Sequence, residues 1–98
     1  METYQWYIFF TRPATEKNVV KQLKELSSTV DFIEDIQLIQ GYRMNVFVKM
    51  KCNEENLRKI MKIDYIVRAA GFIEEFPDYP TLRLRLLTGY YKHKNPTL

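Results

Sequence analysis

Polar residues stop at Gln5, and five bulky side chains follow without a break: Trp6-Tyr7-Ile8-Phe9-Phe10, closed by Thr11-Arg12-Pro13. A half-buried strand alternates apolar and polar positions, whereas an unbroken run has two apolar faces and needs cover on both. The pattern predicts a first strand over Tyr4 to Thr11. Pro13 suits a helix entry, because its fixed φ and missing N–H are tolerated there. Thr15 is a candidate cap, with Glu16 favourable at the positive end of the helix. Val19, Val20, Leu23 and Leu26 then recur at helical spacing, while Lys17, Lys21, Lys24 and Glu25 fall largely outside that stripe. Ser27-Ser28-Thr29 closes the element.

Val30 to Ile39 reads as a second strand, with Phe32, Ile36 and Leu38 on one side. Gln40-Gly41-Tyr42-Arg43 is a turn, since Gly41 accepts a positive φ. Met44 to Lys51 alternates: Met44, Val46, Val48 and Met50 on one face, Asn45, Phe47, Lys49 and Lys51 on the other. Asn53 is a good cap for a second helix, with Glu54 and Glu55 in its first turn and Leu57, Ile60 and Met61 as its buried stripe. A fourth strand runs from Tyr65 to Ala70 and stops at Gly71. Thr81 to Tyr91 fits two patterns. Leu82-Arg83-Leu84-Arg85-Leu86 alternates like a strand, and Leu82, Leu86, Leu87 and Tyr90 are spaced like a helix. Pro80-Thr81 as a start and Gly89 as an end favour the helix.

The expected order is β-α-β-β-α-β plus a terminal helix. This is an α+β chain of the ferredoxin-like, split βαβ kind, an antiparallel sheet with its two helices on one face. Residues 1–91 form a single domain, and 92–98 a flexible carboxyl-terminal tail. If the valines of the third strand face the helices, Phe47 lies on the opposite, open face, where a partner has access to it.

Composition narrows the function classes. The chain has 98 residues, enough for one domain. Its seven tyrosines, six phenylalanines and one tryptophan can fill a core and still leave rings over for recognition. The net charge of +3 permits contact with nucleic acid, but the fifteen basic residues are spread among twelve acidic ones rather than gathered in a stripe. The amino terminus lacks the basic and apolar regions of a signal peptide, and no apolar run approaches the roughly 18 residues of a membrane span. A cytoplasmic location without membrane contact is the expectation. One cysteine and one histidine leave no disulfide pair and no cysteine or histidine metal set. With no Gly-rich phosphate loop or nucleophile elbow either, the reading is a binding protein, without enzymatic activity and without a cofactor.

Several segments resemble the N-terminal (NGN) domain of the NusG family of transcription elongation factors. Trp6-Tyr7 followed by bulky residues, the Thr11-Arg12-Pro13 turn and the Glu16-Lys17 helix start are similar to that family's opening. Val46-Phe47-Val48-Lys49-Met50 looks like its third strand, Asn53-Glu54-Glu55-Asn56-Leu57 like the start of its second helix, and Ile66-Val67-Arg68 with Gly71-Phe72 like its fourth strand. The likeness covers roughly residues 4 to 76 and is nearest to the specialised UpxY and RfaH-like antitermination paralogues of bacteria. Tyr42-Arg43-Met44-Asn45 replaces the family's Phe-Pro-Gly-Tyr, a tight turn replaces its long excursion, and the expected unit is an NGN-like α/β sandwich without a KOW domain.

The resemblance implies a module that docks on the clamp helices of the largest RNA polymerase subunit and, in specialised members, touches the non-template DNA strand. It implies Trp6, Phe10, Tyr42 and Phe47 as the partner-binding rings and Arg12 and Lys17 as nucleic-acid contacts. Two other classes share the topology. An RNA-recognition module stacks bases on its central strands, and Arg43, Phe47 and Val48 match its signature while Asn45 and Met50 do not. A self-associating domain pairs its open sheet face with a second copy, giving a weak homodimer in place of a monomer.

Overall fold

The computed structural model describes residues 3–89 and 93–94. In chain order the elements are β1 (Tyr4–Thr11), α1 (Glu16–Ser27), β2 (Ile33–Gln37), β3 (Asn45–Lys51), α2 (Glu54–Met61), β4 (Ile66–Phe72), α3 (Tyr79–Leu87) and β5 (His93–Lys94). The protein is α+β, with an antiparallel sheet and three helices. The strands lie in the order β2-β3-β1-β4-β5, so the all-apolar β1 sits at the centre with β3 on one side and β4 on the other.

Two cores follow from the two faces of that strand. Tyr7 and Phe9 of β1 join Val46, Val48 and Met50 of β3 beneath Val19 and Leu23 of α1 and Ile60 of α2. On the other face Trp6 and Ile8 join Phe47, Ala70 and Phe72 beneath Phe76 and α3's Leu82 and Leu86. The face expected to be open is therefore closed. The third helix covers it, and the sheet is sandwiched between α1 and α2 on one side and α3 on the other.

Local chemistry explains most boundaries. Asn53 caps α2, its Oδ1 accepting from the Asn56 N–H at 2.8 Å. Thr15 precedes α1 without capping it by a side-chain bond; its hydroxyl donates back to the Arg12 carbonyl at 2.6 Å. The third helix starts at Tyr79, before the Pro80-Thr81 start expected, because Asp78 Oδ1 accepts the Thr81 N–H at 2.9 Å and Pro80 fits the first turn. β4 runs on through Gly71 to Phe72, since β5 gives both residues a partner. The expected tail thus includes a strand at His93–Lys94; Tyr90 and Tyr91 at the expected domain end, and 92 and 95–98 of the tail, lie outside the described residues. Met44, expected to continue the β3 alternation, is a left-handed turn residue with φ 62 instead.

β2 is an edge strand, and an open edge invites pairing with another chain. A register shift between Ile33 and Asp35 interrupts its ladder. Asp35 folds its carboxylate onto its own strand, accepting from the Ile36 N–H at 2.8 Å and from the Gln37 amide at 3.1 and 3.3 Å. The charge and the irregular ladder both make this edge a poor template.

Phe47 separates the two readings of the sheet. As a core ring with no exposed surface, Phe47→Ala is expected to cost about 3–5 kcal/mol in urea denaturation, against a few tenths for a surface contact. A loss below about 0.5 kcal/mol would place the ring outside the core.

Candidate functional site

The four rings singled out in the sequence do come together. All four belong to, or pack against, the cluster under α3. That cover changes what they can do. Phe47 is fully buried and Trp6 only 2% exposed, so neither offers a face to a partner, and the expectation of an accessible Phe47 is corrected. Tyr42 is half-buried, its ring edge-on to Phe47 at 5.9 Å, and its hydroxyl donates to the Leu86 carbonyl near the end of α3. Its polar end thus holds the helix down. Phe10, near the end of β1, is likewise only partly buried, packed against the edge of the same cluster.

Phe10 is also the centre of a cationic group that the sequence reading missed. The Arg68 guanidinium lies over its ring at 4.1 Å, placed there by the Phe10↔Arg68 register of β1 and β4. His93 of β5 meets the same ring at 6.1 Å and Phe72 at 5.6 Å, both near edge-on. Such a stack fixes a guanidinium plane while leaving its N–H groups free to bind. The signal was present in Ile66-Val67-Arg68-Ala69-Ala70, where one arginine interrupts an otherwise apolar strand.

Arg12 and Lys17 are both exposed, at the turn that leaves β1. The backbone there is held from two sides: the Thr11 N–H donates to the Met44 carbonyl at 2.8 Å and the Arg12 N–H to the Tyr65 carbonyl at 3.0 Å. Both acceptors, and Ala14 in the turn itself, sit in the left-handed region at φ of 62° (Met44, Ala14) and 76° (Tyr65). For residues with a side chain this costs of order 1–3 kcal/mol each, and such positions collect where a loop must be held in one shape. Met44 and Tyr65, 43% and 44% exposed, flank the turn. This corner therefore combines a fixed turn, unburied cations and one exposed tyrosine.

The remaining polar groups serve the fold. Lys49 Nζ donates to the Pro77 carbonyl at 3.0 Å and lies 3.8 Å from Glu34, fastening the segment that leads into α3. Burial, with Cys52 beside it, pushes the Tyr7 phenol up to about 12, so it stays neutral at physiological pH. Among the described residues no three His, Cys, Asp or Glu side chains gather as metal ligands, and no helix is long and apolar enough to cross a membrane. A shallow groove of about 420 Å³ between α1 and β2, bounded by Lys24, Glu34 and Asp35, is mainly polar-walled.

His93 is the only histidine, which makes the Phe10 group directly observable. Burial first, and the Arg68 charge second, hold its pKa below the usual 6.5. The neutral imidazole is thus the form that packs. Stability that is present above pH 6.5 is lost as the pH falls through the folded value, because the unfolded chain takes up the proton first. In an NMR titration the imidazole midpoint is expected below 6.5, and Arg68→Gln to raise it partway towards that value. A midpoint at or above 6.5 in the native chain would mean that His93 does not pack as described.

Compared with protein-family models, with curated proteins and with solved structures, the chain has no match.

Proposed function

We propose that the chain is a NusG-like transcription elongation or antitermination module, which acts by docking on the clamp helices of RNA polymerase. The observation that carries this reading is the sheet order. Strands β2-β3-β1-β4 with α1 and α2 on one face are consistent with the ferredoxin-like arrangement of NGN domains, and a third helix on the other face suits their α/β sandwich. The segment that resembles the family's opening, from Trp6 to Lys17, forms most of the central strand, the held turn after it and the start of α1.

In this reading the docking surface is smaller than the four rings suggest. Trp6 and Phe47 form its floor, Tyr42 ties α3 to that floor, and Phe10 is the ring that meets the partner. Arg12 and Lys17 contact nucleic acid from the neighbouring turn, on the non-template strand. Base stacking on the sheet face, as in RNA-recognition modules, has less support, since Phe47 lies beneath α3. Pairing of that face with a second copy meets the same obstacle.

Binding of the intact chain to a purified clamp-helix fragment of the polymerase tests the reading. Phe10→Ala is expected to weaken binding by about tenfold or more, the loss of a contact worth some 1.4 kcal/mol, with the fold retained. No binding by the native chain would overturn the proposal. Single-stranded RNA bound with a steep salt dependence, in place of the fragment, would favour the RNA module.

A further inference from the structure

Two basic side chains converge on the Phe10 ring from different strands. Arg68 lies over the ring face at 4.1 Å, and His93 meets the ring at 6.1 Å, near edge-on. Arg68 stands beside Phe10 in the β1–β4 register, whereas His93 stands beside Phe72 on the far side of β4. Between Arg68 and Phe72 on that face of β4 comes Ala70, whose methyl leaves room for the two rings to meet. Both basic residues are exposed, so the space beside them is open to a solute.

The charge on this part of the sheet has one sign. β1 carries no charged residue and β4 only Arg68, so the strands under the ring supply a positive charge and no negative one. Lys94, the other residue of β5, is basic as well. Glu34, Glu54, Glu55 and Glu74 pair with Lys49, Arg58, Lys59 and Arg85, and Arg68 makes no ion pair among the described residues. A guanidinium stacked on a ring keeps its plane fixed and its N–H fork clear. Such a fork donates to two oxygens of one oxyanion at once.

Charge decides which oxyanion suits the pair. A carboxylate or a phosphodiester brings one negative charge, while a phosphate monoester brings about −1.5 to −2 near neutral pH. Arg68 and a protonated His93 supply two positive charges, which the monoester balances. We propose that Arg68 and His93, set about the Phe10 ring, bind a phosphate monoester, the guanidinium fork on two of its oxygens and the imidazolium on a third. Inorganic phosphate and the phosphate of a nucleotide share this chemistry. The site is independent of RNA polymerase binding.

NMR of the His93 imidazole tests it, in sodium phosphate against sodium chloride of equal ionic strength, because any salt screens the Arg68 charge. Phosphate is expected to raise the midpoint by about 0.5–1 beyond chloride, a preference for the imidazolium form of about three- to tenfold, and to saturate. Arg68→Lys keeps the charge without the fork and is expected to need several-fold more phosphate for half-saturation. Arg68→Gln is expected to abolish the difference between the two salts. Both variants change an exposed side chain and are expected to melt near the native chain. The same titration with adenosine monophosphate separates the sources. Saturation below the phosphate concentration gives the site to a nucleotide and equal saturation to the free anion, and either result supports it. Equal midpoints in phosphate and chloride overturn the site, as does a phosphate response that survives in Arg68→Gln. A shift produced by oligothymidylate without terminal phosphates, and not by phosphate, overturns the monoester and gives the ring to a nucleic-acid strand.

Discussion

The fold depends on one requirement, that a strand with no polar side be covered twice. β1 runs through the middle of the sheet and sends Tyr7 and Phe9 one way and Trp6 and Ile8 the other. The first pair is met by helices that belong to the βαβ units themselves. The second is met only because the chain continues past β4 and folds α3 back over the sheet. Without α3, Trp6, Ile8, Phe47 and Phe72 would form an apolar expanse of the kind monomeric proteins rarely expose.

Much of this was legible in the residues. The run Trp6 to Phe10 called for two covers, the Val46-Val48-Met50 alternation named the helix-facing side of β3, and Asn53 marked the start of α2. The identity of the second cover was not legible. A strand pattern reports that a face is apolar, but not whether the atoms above it come from the same chain or from another. Phe47 therefore read as a contact ring when it is a core ring. The error lay in the partner assigned to the face, not in the face.

The boundaries that shifted have local causes. Asp78 moved the start of α3 forward because a capping carboxylate outweighed the Pro-Thr pair after it. Met44 left its strand because β1 needs a carbonyl from that position, and a left-handed backbone provides it. The Arg68–Phe10 stack was hidden for a different reason. It is a pairing between strands far apart in sequence, and spacing along one strand does not show which residues face each other across two.

Trp6 is the sole tryptophan, and it lies at the floor of the α3 interface, 6.0 Å from Tyr79 at the first turn of that helix. Its indole N–H is buried with no acceptor among the described residues. The chromophore is thus shielded from bulk solvent while α3 is seated, and exposed to it once the helix lifts. The protein carries its own optical gauge of how firmly the lid of its second core is shut.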